Sequence, residues 1–207
     1  MPGHSLDGTG GAPLAVEHRT QLLEVASRSI EHGLGTGLPL PVDPRNHPQP
    51  LRERSACFVT LRRTGALRGC IGELEAHRSL VESVADRAFQ AAFRDPRFAS
   101  LRAEELHDLE IHVAILGPLA PLAVRDEREL WEQLEPGVDG VTLTEGAARA
   151  TFLPAVWEKL PEPRRFLAEL KRKAGLPQDH WSDQVAISRY QVFEFSGRYR
   201  RGEDSPA

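Results

Sequence analysis

The sequence predicts an α+β fold, an antiparallel sheet flanked by helices. Stretches with apolar residues at the helical period (14–32, 79–94 and 162–174) are separated by stretches that alternate with period two. The alternating stretches come in pairs joined by turn signals, as antiparallel hairpins require. No internal repeat is present, and helices segregated among antiparallel strands mark the α+β class.

Each element has its own justification. Residues 14–32 read as a helix, with Val16, Leu22, Leu23, Ala26 and Ile30 near the helical period and Gly33 as its stop. A Pro/Gly connection over 35–50 follows, whose five prolines bar a helix interior. Residues 55–72 read as a β-hairpin: Cys57 to Leu61 is rich in strand formers, Thr64-Gly65 is a turn signal, and Ala66 to Ile71 returns. With a two-residue turn and no irregularity, Val59 faces Cys70, and Cys57 shares its sheet face. One bulge residue would put the two thiols on opposite faces, and the sequence leaves both registers open.

Ser79 and Glu82 form a capping box for the next helix, which ends near Asp95 because Pro96 pushes the preceding residue out of helical angles. A turn at 102–106 leads into the strand 109–116, with Leu109, Ile111, Val113 and Ile115 on one face and Glu110, His112 and Ala114 on the other. Asp126 and Glu129 open a short helix around Trp131. A second hairpin, 140–144 with 148–153, turns at Glu145-Gly146. Pro154 opens a helical turn holding Trp157, the helix 162–174 has Gly175 at its C′ position, and 185–195 reads as one last strand.

Composition bounds the function. Two cysteines in 207 residues make no disulfide framework, which points to a reducing cytoplasm. No apolar run approaches the roughly 20 residues that cross a bilayer. Residues 1–13 read as a disordered, Gly-rich leader, 14–196 as the folded domain and 197–207 as a charged tail. Net charge is −4, yet residues 164–201 hold nine Lys or Arg against four acids. That basic part is the basis of an RNA-binding reading, weakened by the lack of an aromatic-plus-basic platform. The histidines are scattered, and CxxC, HExxH, Walker, GxGxxG and GxSxG patterns are missing, so neither metal nor cofactor is expected.

The chemistry concentrates in Leu67-Arg68-Gly69-Cys70-Ile71-Gly72. A cation near a thiol favours the thiolate, so Arg68 beside Cys70 makes a candidate nucleophile, and the flanking glycines let a ligand approach. A cysteine nucleophile wants a base and a group to orient it, for which His112 and Glu110, on one strand face, are the candidates. The bland readings are a buried apolar thiol and a solvated sheet face. Arg97, in Asp95-Pro96-Arg97-Phe98, is either an anion binder or a partner of Asp95 that pins its loop.

The hexapeptide, Ala91-Ala92-Phe93-Arg94-Asp95-Pro96-Arg97-Phe98, Leu109-Glu110-Ile111, Pro136-Gly137-Val138-Asp139-Gly140, Phe152-Leu153-Pro154 with Trp157, and Phe166-Leu167 with Lys173-Ala174-Gly175-Leu176 follow one another in an order and spacing that closely resembles the AMMECR family, called AmmeMemoRadiSam system protein A in bacteria and archaea. The match spans roughly residues 15–195. The resemblance implies two lobes with a groove between them and places Leu67 to Gly72 at the family's proposed site. In the family pattern the position of His112 often carries an acid, so a Cys–His dyad would be peculiar to this chain. The family's name reflects genomic association with a Memo-like protein and a radical-SAM enzyme, which implies a protein partner. The reading is therefore an accessory or adaptor protein of a protein- or metabolite-modification system, whose groove uses Arg68, Gly69, Ile71, Gly72 and Arg97. A thiol-dependent enzyme built on Cys70 is the alternative.

Overall fold

The computed structural model describes residues 14–201, so the leader over 1–13 and residues 202–207 of the tail lie outside the described residues, while 197–198 of the expected tail belong to the last strand. The chain divides into two compact units, each with its own four-stranded antiparallel sheet and core.

Of the described residues, the larger unit holds 14–116 and 193–201. Helix α1 (Val16–Thr36) runs past Gly33 and ends at Gly37, which adopts the left-handed conformation of a C-terminal cap. Gly33 is not the stop. It is buried, and a Cβ there would lie 2.5 Å from the Phe93 ring, so it marks where α1 meets its neighbour. The Pro-rich connection contains a 3₁₀ turn, Pro44–Asn46, and one helical turn α2 (Gln49–Arg52) with Pro50 in its first turn.

Strands β1 (Cys57–Arg63) and β2 (Ala66–Gly72) form the expected hairpin. Thr64 (φ 48°) and Gly65 (φ 80°) are both left-handed, as a two-residue type I′ turn demands. Arg63 faces Ala66, but a bulge follows: Leu61 pairs with Gly69, Arg68 is the extra residue, and Thr60 rather than Val59 faces Cys70. Cys57 and Cys70 therefore lie on opposite faces, one of the two arrangements the sequence left open.

Helix α3 (Leu80–Phe93) starts at Ser79, whose hydroxyl accepts from the Glu82 N–H while the Glu82 carboxylate accepts from the Ser79 N–H. A 3₁₀ segment, Ala103–Asp108, leads into β3 (Leu109–Leu116), with Leu109, Ile111 and Val113 buried as its alternation predicts. The sheet order is β2-β1-β3-β8, where β8 is Val192–Arg198. Helices α1 and α3 supply Leu22, Ala26, Ile30, Val81, Val84 and Ala88 to the core, which meets Cys57, Val59 and Leu61 of β1 and Ile111 and Val113 of β3. The opposite face of the sheet carries Thr60, Cys70, Glu110 and His112.

Gly117–Val192 is the smaller unit. It holds β4 (Ala120–Leu122), α4 (Glu127–Gln133), β5 (Gly140–Glu145), β6 (Ala148–Phe152), a 3₁₀ turn (Pro154–Glu158), α5 (Pro163–Lys173) and β7 (Ala186–Tyr190), with sheet order β4-β7-β5-β6. Its hairpin pairs Glu145 with Ala148, one residue beyond the predicted register. Strand β4 escaped the sequence reading because it is three residues long and contains Pro121, which confines it to a sheet edge. The Trp157 ring stacks on Phe166 at 3.7 Å in the centre of this core, and its indole N–H donates to the Asp139 carbonyl at 2.7 Å. The predicted final strand 185–195 is two strands, β7 and β8, in different sheets. Gln191 separates them, and its carbonyl accepts a hydrogen bond from the Gly117 N–H at 2.8 Å. No helix among the described residues is long and apolar enough to cross a membrane.

Candidate functional site

Strand β2 is an edge of the larger sheet, and the hexapeptide lies along it. Gly69 points toward α3, where a Cβ would stand 2.0 Å from the Ala91 carbonyl oxygen. Its missing side chain is a packing requirement. At Gly72 a Cβ would stand 2.2 Å from the Phe58 ring, which covers the strand from the opposite neighbour. Ile71 is half-buried against the larger core.

Cys70 is clasped from outside the sheet. Its N–H donates to Asp95 Oδ2 at 2.8 Å, and its carbonyl accepts from Arg97 Nη2 at 3.1 Å. These are edge groups that would otherwise be open to another strand, so the two side chains stand in for a neighbour. Asp95, 4% exposed, also accepts from the Arg97 N–H, Nε and Nη2 at 3.1, 2.9 and 2.7 Å. These bonds hold its carboxyl far below the ordinary range, Arg97 contributing most, against the opposing cost of burial. Arg97 in turn is held above its usual value, chiefly by Asp95, with Cys70 a smaller contributor.

The guanidinium that meets Cys70 is thus that of Arg97, rather than that of Arg68, its neighbour in sequence. The bulge takes Arg68 out of alternation. Its Nε and Nη2 donate to the two Glu105 oxygens at 2.7 and 3.0 Å, and Nη2 also donates to the Ala99 carbonyl at 2.9 Å. Arg68 holds the Glu105 carboxyl down to about 2, against burial. Arg68 and Glu105 form one wall of an open cleft of about 570 Å³, completed by Arg63, Phe98, Ala99, Ser100, Arg102 and Glu104.

The thiol of Cys70 accepts a hydrogen bond from the Thr60 hydroxyl at 3.1 Å. Across the sheet Thr60 also pairs with His112, so Cys70, Thr60 and His112 form one row on one face. Two strand spacings separate the outer members by about 9–10 Å between Cα atoms. His112 Nε2 lies 3.3 Å from Glu110 Oε2, off hydrogen-bonding geometry. The arrangement can hold a thiol but puts no imidazole on it. Thr60 was missing from the predicted site residues. The available signal was Gly69, since glycine inside a strand marks a bulge, and a one-residue shift exchanges Val59 for Thr60.

Cys57 is fully buried, and desolvation, with Glu73 adding, pushes its thiol up to about 12. Native protein treated with iodoacetamide at pH 8 is therefore expected to take the label at Cys70 and leave Cys57 unmodified until denaturant is added. Peptide mass spectrometry reads this, and equal labelling of both would show that the core opens readily. With Cys57 on the helix-facing side, a metal site from Cys57, Cys70 and His112 is not assembled.

Several cations of the basic C-terminal part have partners within the chain. Lys171, 1% exposed, donates to Glu127 at 2.6 Å and to the His180 carbonyl at 3.1 Å. Lys173 donates to the Thr151 carbonyl, Arg172 pairs with Glu169, and Arg164 lies over the Trp131 ring at 4.5 Å.

The comparisons agree with one another. The AMMECR1 family profile matches residues 23–195. A protein of Methanothermobacter thermautotrophicus is 36% identical over 87% of this chain and 95% of its own length, and one of Thermotoga maritima is 37% identical over 81% and 92%. The crystal structure of the uncharacterized protein PH0010 from Pyrococcus horikoshii, 32% identical, superposes with a TM-score of 0.78 over 91% of this chain and 96% of that one. With its motifs in order, its two antiparallel sheets and these relatives, the chain belongs to the AMMECR1 family.

Proposed function

We propose that this protein is a binding component, an accessory or adaptor of a protein- or metabolite-modification system, and that its recognition site is the cleft beside Leu67 to Gly72. One observation carries the reading: the hexapeptide is rigidly held, with its chemical groups committed to structure, while an open cleft lies alongside. Gly69 is locked against α3, both backbone groups of Cys70 are clasped, and Arg68 is fixed by Glu105 in the cleft wall. A preorganised surface of this kind loses little entropy on binding. A nucleophilic enzyme would need a base on its thiol. The hydrogen bond given to Cys70 Sγ comes from Thr60 instead.

The family's name supplies the partners to try, a Memo-like protein and a radical-SAM protein. Titration calorimetry with each purified protein is expected to show binding that Cys70→Ser leaves unchanged. Arg68→Ala should weaken it at least about tenfold, as expected of an arginine central to an interface. Circular dichroism checks that the variants fold. Loss of binding with Cys70→Ser but not with Arg68→Ala would move the reading to the thiol.

A further inference from the structure

We propose that the cleft recognises a carboxylate carried beside an apolar side chain, as on an acidic peptide segment of a protein partner. The inference rests on the binding reading above and names its ligand chemistry.

Two donors in the cleft lack acceptors. Arg68 uses Nε and Nη2 on Glu105 and the Ala99 carbonyl, while its Nη1 is buried and has no hydrogen-bond partner. An unsatisfied donor on a buried charged group is rare in a native structure, and an acceptor supplied by a ligand removes its cost. Arg102 is the second. Its side chain is exposed and makes no ion pair among the described residues, whereas Arg63, Arg68 and Arg97 each hold a carboxylate. Two guanidinium groups with donors to spare match the forked geometry of a carboxylate.

The remaining walls set what accompanies the charge. The half-buried Phe98 ring and Ala99 give an apolar surface, and the Ser100 hydroxyl adds a small polar contact. The volume suits a few residues of chain rather than a bare ion. Glu104, also exposed in the lining, repels a second negative charge, so a monoanionic carboxylate fits better than a phosphate dianion.

The test is an amide NMR titration of the full chain with N-acetyl-Asp-Phe-amide, using N-acetyl-Asn-Phe-amide and inorganic phosphate as controls. The acidic dipeptide is expected to shift resonances of residues 98–105 saturably, with a Kd of about 1–10 mM. The Asn dipeptide and phosphate should leave them in place at equal concentration. Arg102→Gln, at an exposed site with no partner to lose, should fold normally and weaken the dipeptide at least fivefold. No saturable shift, an equal response to the Asn dipeptide, tighter binding of phosphate, or indifference to Arg102→Gln would each overturn the proposal. If the dipeptide fails while a purified partner still binds in an Arg68-dependent way, only the ligand chemistry is wrong. If the dipeptide binds and neither partner does, the adaptor reading fails instead.

Discussion

Gly69→Ala is expected to cost about 3 kcal/mol of folding stability, at the upper end of what overpacking a core does. The added methyl would sit 2.0 Å from the Ala91 carbonyl oxygen and 3.0 Å from its carbonyl carbon. Neither is the tip of a flexible side chain. Both belong to the backbone of α3, which is anchored along its length by Val81, Val84, Ala88 and Ala92 in the core. Relief requires the strand to leave the helix, and the strand is held from the other side by Phe58 over Gly72 and by the clasp on Cys70. Urea denaturation of the variant beside Gly35→Ala checks this. Gly35 lies inside α1 with nothing within 4 Å of its added Cβ, so its replacement should be neutral or stabilising by up to about 1 kcal/mol. Equal midpoints for Gly69→Ala and wild type would mean that β2 and α3 separate without cost.

Asp95→Asn is expected to destabilise by about 2–4 kcal/mol although it preserves shape. Every contact made by the Asp95 carboxylate is an accepted one, from the Cys70 N–H and three Arg97 nitrogens. An asparagine brings two donors of its own, and one must face a donor. Losing the negative charge also releases Arg97, and with it the hydrogen bond to the Cys70 carbonyl. The pH dependence has a definite sign. The native Asp95 carboxyl lies below its ordinary value of 3.8, so its contribution is present above that value and is lost as pH falls through the native pKa. Glu105, held at about 2, below its ordinary value of 4.5, behaves alike. The gap in thermal midpoint between wild type and Asp95→Asn should be constant from neutral pH down to about pH 5 and narrow below 3.8. A gap independent of pH down to 2 would show that the carboxylate's charge contributes nothing.

Signals that are local in sequence were legible. The capping box of Ser79 and Glu82, the left-handed Thr64-Gly65 turn and the alternation through Leu109 to Leu116 each depend on residues within a few positions of one another. What depends on a distant partner was not legible. Gly33 and Gly37 both offer a helix stop, and only the rings of Phe89 and Phe93 show that the first is a contact point. Residues 185–195 alternate throughout, and the change of sheet at Gln191 has no compositional mark. The site followed the same rule. The hexapeptide could be picked out, but the bulge at Arg68 decides which side chains meet, and it exchanged Arg68 for Arg97 and Val59 for Thr60 around the thiol.

The hydrogen bond between the Gly117 N–H and the Gln191 carbonyl has a bearing on how the molecule is made. Strand β8 completes a sheet begun before Gly117, so its junction with β3 must close over everything between. Loop closure of that span is entropically costly in an unfolded chain. Once Gly117–Val192 has acquired its own core, its entry and exit points are already tied together, and a distant pairing becomes a neighbourly one. The inserted module thereby shortens the loop that its host must close, and β8 completes the sheet along the β3 edge.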